Sequence, residues 1–219
     1  MAKDSAGIKN WAVLRADVDN LGKIFEGGLG EDRTISRVSN LSSMLSMFFR
    51  GWMKKICEGE EYKDKVYAIY SGGDDHFIVG SWDRMPELGK KIYADFRAFT
   101  CRNPNITLSA GITIAPSEKY PLYQAADLAR EALDKSKGLE EKDGIAFLAM
   151  PMKWDMFSGE VTKLKEDLKR LLEAGVSRAL LQKLYVIHDE YESDRYGRWR
   201  WLLAYVIART EVSDKKDFQ

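Results

Sequence analysis

Apolar and polar residues alternate most clearly in WAVLRADV, Trp11 to Val18, where Ala12, Leu14, Ala16 and Val18 interleave with Val13, Arg15 and Asp17. A period of two predicts a β-strand. DNLGKIFEGGLGEDRT then reads as a short helical piece beginning near Asp19 or Asn20, followed by a loop punctuated by Gly27, Gly28 and Gly30. From about Ile35 to Cys57 the period lengthens to that of a helix, with Ile35, Val38, Leu41, Leu45, Phe48, Phe49 and Trp52 on the apolar face. KVYAIYS and HFIVGSW are two further strands, joined as a hairpin through Gly72-Gly73-Asp74-Asp75. Asp83 to about Cys101 is helical, with Leu88, Ile92, Phe96 and Phe99 inward. ITLSAGITIAP is a strand closed by Pro116. Tyr120 to Lys137 is a helix stopped by Gly138, and GIAFLAM is a last strand before Pro151.

The order β-α-α-β-β-α-β-α-β predicts an α+β sandwich of the ferredoxin-like type. After Met150 the texture changes. PMKWDMFSGEV reads as a connector, and the rest has no strand alternation. Its apolar residues recur helically: Leu164, Leu168, Leu171 and Leu172, then Leu180, Leu184 and Ile187, then Trp201, Leu202, Tyr205 and Val206. Three helices broken near Gly175 and near Ser193–Gly197 are predicted, giving a sheet domain over 1–150 and a small all-α domain over 151–219. A module of roughly 65 residues is small for independent stability, so it is expected to pack on the sheet domain or on a partner. The tail EVSDKKDFQ reads as frayed.

Composition narrows the function classes. Lys+Arg and Asp+Glu are both 34, so the chain as a whole shows no sign of a strongly basic nucleic-acid surface, and any such contact is local or made through other subunits. Cys57 and Cys101 form no CxxC pair, which argues against a zinc site or a disulfide framework and fits a reducing cytoplasm. No apolar run is long enough to span a bilayer, so no membrane association is expected, and MAKDSAGIKN lacks a signal-peptide apolar core. His76 and His188 have no second histidine at ligand spacing and are read as structural or surface residues. No P-loop, GxSxG or HExxH motif occurs.

The chemistry concentrates in Asp17, Asp74 and Asp75. In a ferredoxin-like sheet the first strand lies beside the hairpin, so three carboxylates converge at one sheet end. Clustered carboxylates raise one another's pKa, and a divalent cation relieves the repulsion. Hard oxygen ligands suit Mg²⁺ or Mn²⁺, with the Val18 carbonyl completing the site. Gly72 and Gly73 allow a tight turn and close backbone approach. The competing reading is a polar turn of ordinary composition. Asp19, Asn20, Leu21 and Gly22 form a helix start whose free N–H groups face the same sheet end and suit a phosphate, alongside a plain N-cap by Asp19 or Asn20. Opposite the apolar stripe of the long helix lie Ser36, Ser39, Asn40 and Ser43, a small polar face on which a purine ring can lie, or simply an exposed face of low charge.

LRADVDNLGKIF, ISRVSNLSSMLSMFF, YSGGDDHFIVG, LSAGITIAP and LYQAADLAREALDKSKG, taken in order, resemble the GGDD palm domain of the large signature subunit of type III CRISPR effector complexes, the Csm-type most closely. The segment from Trp154 resembles that subunit's C-terminal helical domain. More distantly, the pattern is similar to GGDEF diguanylate cyclases and class III nucleotidyl cyclases. The resemblance implies metal-dependent synthesis of cyclic oligoadenylates from ATP once the complex has bound target RNA, in antiviral defence. It implies two Mg²⁺ or Mn²⁺ ions per active site on Asp17, Asp74 and Asp75, a triphosphate contact from Lys137, and, more loosely, adenine contacts from Ser36, Asn40 and Ser43. Its implied partners are ATP, other subunits of the ribonucleoprotein, guide and target RNA reached indirectly, and a first palm domain supplied elsewhere. HD-type DNA cleavage is not expected, because the HD domain, first palm and zinc-bearing linker of full-length members have no counterpart here. The alternatives are a diguanylate-type cyclase, weakened because GLEEKDG lacks the arginine that follows the lysine in that family, and a non-catalytic scaffold contacting other subunits and guide RNA.

Overall fold

A computed structural model describes residue 5, residues 7–72 and residues 75–209, the side chains of residues 70–72 excepted. Gly73 and Asp74 of the hairpin, and the tail expected to fray, lie outside the described residues. The chain divides into two compact units, Met1–Ser158 and Gly159–Gln219.

The first unit is built on β1 (Trp11–Val18), β2 (Val66–Gly72), β3 (Asp75–Ser81), β4 (Leu108–Ile114), β5 (Gly144–Phe147) and β6 (Met150–Lys153). These form one six-stranded sheet in the order β2-β3-β1-β4-β5-β6. β1 is antiparallel to both β3 and β4, β2 and β3 form the hairpin, and β5 runs parallel to β4. The first four strands therefore have the ferredoxin-like arrangement, and the chain is α+β as expected.

Alternation along β1 sends its side chains to two buried faces. Leu14, Ile78 and Ile112 point to one face, covered by helix α4 (Met85–Phe99). A side-chain carbon at Gly89 of α4 would sit 3.3 Å from Leu14 and 3.5 Å from Ile112. On the same face Phe48, Phe49 and Phe96 form an aromatic cluster with ring centroids 5.0–5.6 Å apart, and Phe49 stacks on His76 at 3.7 Å. The other face carries Trp11 and Val13 beneath Ala125 and Ala129 of α5 (Leu122–Lys137). Here β4 must present a glycine, because a Cβ at Gly111 would lie 2.3 Å from the backbone nitrogen of Leu133.

The short α1 (Leu21–Glu26) follows β1, and a 3₁₀ turn, Gly30–Asp32, precedes the long helix. That helix is continuous but not uniform: α2 (Ile35–Met47) passes through a π-helical turn, Phe48–Trp52, into α3 (Met53–Glu58). The wide turn adds one residue and rotates everything after it by about 100°. Met53 and Cys57 come inward, while Trp52, expected on the apolar face, is 42% exposed. Ile35 also departs from the expected stripe: at the first turn of the helix it is 91% exposed.

The expected connector after Met150 belongs to the first unit. β6 pairs with β5 through a two-residue turn in which Leu148 and Ala149 both have positive φ, 51° and 64°. Such turns normally carry Asn-Gly, so Leu-Ala gives no sequence signal. Trp154, in the one-turn α6 (Trp154–Met156), is buried. Its indole nitrogen donates to the Leu108 carbonyl at 2.7 Å, and its ring stacks on Tyr93 at 4.4 Å. A π-helical turn, Phe157–Val161, follows. The second unit contains α7 (Thr162–Glu173), α8 (Ala179–Ser193) and α9 (Trp199–Ala208), broken at Gly175 with φ 88° and across residues 194–198.

Candidate functional site: carboxylates and their counter-ions at one sheet end

The last residues of β1, the first of β3, the start of β4 and the end of α5 meet at one end of the sheet. Asp17 and Asp75 are register partners on adjacent antiparallel strands, so their side chains leave the same face, the one α5 covers. Each has a cation. Lys137, the last residue of α5, bonds to Asp17. Arg15, two residues before Asp17 on the same face, donates from Nη2 to Asp75 Oδ2 at 2.5 Å, with its guanidinium carbon 6.0 Å from the Phe77 ring. Asp75 Oδ1 and Arg15 Nε are both buried, and neither has a partner among the described residues.

The predicted residues divide. Asp17, Val18, Asp75 and Lys137 are brought together. Gly72 is backed onto Asp75 across the hairpin, while Gly73 and Asp74 lie outside the described residues. Asn20, Leu21 and Gly22 form the helix start beside them. Asn20 adopts the left-handed conformation, φ 54°, and makes no side-chain cap bond, so the expected N-cap is not formed. A Cβ at Gly22 would meet nothing within 4 Å, which leaves open space in front of that turn.

The reading of Asp19 as an N-cap is corrected: the N-cap position of α1 falls to Asn20, and Asp19 is 1% exposed. Its carboxylate accepts from Thr107 Oγ1 at 2.8 Å, from Ser109 Oγ at 2.8 and 3.0 Å, and from the backbone N–H of Asp143 at 3.2 Å. Every lone pair so used ties the β1–α1 corner to β4 and to the loop before β5. That loop is strained: Glu141, Lys142 and Asp143 all have positive φ, each costing roughly 1 kcal/mol or more in a residue other than glycine. It is clamped by Lys153 Nζ, which donates to the Lys142 carbonyl at 2.8 Å, and by Lys142 Nζ, which donates to Asn20 Oδ1 at 2.9 Å. Asp143 accepts from the Tyr93 hydroxyl at 3.1 Å. Burial, with the Asp19 charge nearby, pushes the Asp143 carboxyl above its ordinary range, although the Tyr93 bond and Arg97 pull it down.

Ser36, Asn40 and Ser43 lie on the exposed side of α2. Ser43 lines a shallow hollow of about 520 Å³ with Arg33, Thr34, Ile35, Val38, Ser39 and Ser42, but Ser36 and Asn40 do not line it. A more apolar hollow of about 460 Å³, between the π turn and α4, contains none of the predicted residues.

Arg15, Asp143, Thr107 and Ser109 carry site geometry that the motifs did not single out. Strand alternation does place Arg15 on the Asp17 face, and an arginine inside an otherwise apolar central strand is the signal that was there to read.

Among the described residues no group of three metal-ligating side chains forms. The fit to a divalent cation rests on the Asp17–Asp75 pair and on the unpartnered, buried Asp75 Oδ1, an acceptor whose burial is costly until something positive meets it. The donor set is all oxygen, which suits Mg²⁺ or Mn²⁺.

A ferredoxin-like sheet that gathers hairpin and first-strand carboxylates at one end, with a helix start alongside, defines a palm domain. The family described as Cas10/Cmr2, second palm domain, matches residues 10–146, and the chain belongs to that family. A Cas10/Csm1 protein of subtype III-A from Methanocaldococcus jannaschii, named as a single-strand-specific deoxyribonuclease, is 41% identical over 213 residues, covering 88% of this chain and 26% of its own. Among solved structures, a Csm1–Csm4 cassette in complex with one ATP superposes with a TM-score of 0.74 at 25% identity, over 94% of this chain and 32% of that one. A Csm1–Csm4 cassette in complex with cA4 gives 0.72 at 25% identity, over 93% of this chain and 32% of that one. The chain thus spans about a quarter to a third of the length of the proteins it matches.

Proposed function

We propose that this chain is the ATP-binding palm of a type III CRISPR effector large subunit and supports metal-dependent joining of ATP into cyclic oligoadenylates upon target RNA recognition. The observation that carries this reading is the pairing of Asp17 with Asp75 at the sheet end where Lys137 closes α5. The ATP and cA4 complexes of the related Csm1–Csm4 cassettes support the choice of nucleotide and product. The deoxyribonuclease name belongs to a relative of which this chain matches 26%, and it adds nothing to this sheet end.

Asp17, Asp75 and the neighbouring Asp74 would hold Mg²⁺ or Mn²⁺, two per site. Bound metal lowers the pKa of an attacking 3′-hydroxyl and neutralises charge on a pyrophosphate leaving group. The chain's own contribution is placement. Lys137 offers a point charge to the triphosphate, and the backbone N–H groups from Asn20 to Gly22 are offered to its phosphates. The polar side of α2, with Ser36, Asn40 and Ser43, is available to an adenine ring. Asp19 and its hydroxyl partners hold the β1–α1 corner rigid while this happens. Another palm supplies the facing half of the site, and the other subunits, a Csm4-like one among them, provide the contact to guide and target RNA. Among the described residues no helix is long and apolar enough to cross a membrane.

Calorimetry with ATP and Mg²⁺ tests this. Replacing both Asp74→Ala and Asp75→Ala should abolish metal-dependent ATP binding. Unchanged affinity in the double variant sinks the proposal, and preference for GTP in competition would point to a diguanylate-type cyclase instead.

A further inference from the structure

Arg15 stands apart from the residues already assigned to the site. It is a charged side chain in the central strand, only 21% exposed, and it holds Asp75 by a single bond. An arginine and a carboxylate that form a permanent structural bridge usually engage through two parallel bonds. Here the second half is unmade: Arg15 Nε and Asp75 Oδ1 are both buried and both lack a partner among the described residues. Asp17 meanwhile is bonded to Lys137. Asp17 and Asp75 thus each have a cation bonded to them, and the charges of these four side chains cancel.

That balance has a direct electrostatic consequence. A divalent cation arriving alone meets two carboxylates whose charge is offset by their own cations, and it must compete with a guanidinium hydrogen-bonded to its ligand. A polyphosphate brings several negative charges, which attract the metal and give Arg15 and Lys137 a new acceptor. We propose that Arg15 is a built-in counter-ion that makes divalent-metal binding depend on the nucleotide, so that metal enters with the triphosphate and not before it. This rests on the nucleotide reading above and deepens it by setting the order of loading. In this role Arg15 is a positioning residue, acting through Asp75.

The test is a Mn²⁺ titration of the full 219-residue chain, followed by electron paramagnetic resonance of the free ion, with and without ATP. Wild type should take up Mn²⁺ weakly alone and much more tightly with ATP. Arg15→Gln should bind Mn²⁺ alone roughly tenfold more tightly, shrinking the gain from ATP, and Arg15→Lys should restore the wild-type pattern. Affinity for Mn²⁺ alone that is unchanged or lower in Arg15→Gln overturns the proposal. Should that variant fail to fold, the ¹⁵N resonances of the Arg15 guanidinium in the wild type decide. They should shift on adding Mg²⁺ with ATP but not with Mg²⁺ alone, and a guanidinium that never responds overturns it. If wild type binds no ATP at all, the functional reading falls, while the Mn²⁺ comparison between Arg15 and Gln still decides the counter-ion.

Discussion

The two units of this chain use apolar residues in opposite ways. In the sheet unit Leu14, Phe49, Met53, Ile78, Leu88, Ile92, Phe96 and Trp154 are all at most 1% exposed, and on the other face of the sheet Val13, Ala125 and Ala129 are fully buried. In the helical unit Val176, Ile187 and Val206 are buried, yet Leu164 is 59% exposed, Tyr205 55%, Ile207 65% and Trp201 80%. The helical period was equally clear in both. Periodicity establishes that a helix has an apolar face; it does not establish that the same unit buries it. The sheet unit draws its stability from its own core, whereas the helical unit retains few buried side chains from which to draw any.

The sharpest way to break that contrast is a pair of tryptophan truncations. Trp154→Ala should lower the stability of the sheet unit by about 3–5 kcal/mol in denaturant titrations, because it removes a stacked ring and a buried hydrogen bond together. Trp201→Ala should stay within about 0.5 kcal/mol. Equal losses would erase the distinction. Acid should act next most strongly, and on the sheet unit. Burial holds the His76 imidazole down to about 3, so the folded state stays neutral where the unfolded chain takes up a proton. That stability is complete above about pH 6.5 and is lost as pH falls toward 3, amounting to about 2 kcal/mol between pH 7 and pH 5. His76→Phe, which can keep the stack on Phe49, should flatten this slope in thermal melts; an unchanged slope would place the acid sensitivity elsewhere. The smallest effect should come from Asp143. Its raised carboxyl makes the folded state lose stability as pH rises through the window above 3.8, opposite in sign to His76. Asp143→Asn should remove that decline, read from melts on either side of the window, and a variant with the wild-type pH profile would contradict the burial-driven shift.

Much of the sheet unit was legible because alternation and helical period change abruptly at its boundaries. The hairpin, the central strand and the stop at Gly138 follow from those patterns. What escaped were features whose chemistry is non-local or whose turns lack the usual residues. β6 is hidden behind a Leu-Ala turn, and Trp154 reads as part of a connector until its indole finds the Leu108 carbonyl. At the site, Asp17 and Asp75 were visible as a motif and a strand end. The cap reading of Asp19 failed because a carboxylate after a strand is usually a cap, and only the fold brings Thr107 and Ser109, some 90 positions away, onto it. Arg15 was legible by face but not by partner, since its bond to Asp75 depends on register.

The π turn at Phe48–Trp52 has a consequence for how the long helix tolerates insertions and deletions. Removing one residue from a regular helix turns the downstream face by about 100° and would swing Met53, Ile56 and Cys57 out of the core. Removing Gly51 should instead convert the wide turn into an ordinary one and leave those three residues where they are, because the extra residue is already absorbed there. The helix thus carries one position at which chain length and facing are uncoupled, and homologous helices shorter by one residue at that point can share the same core.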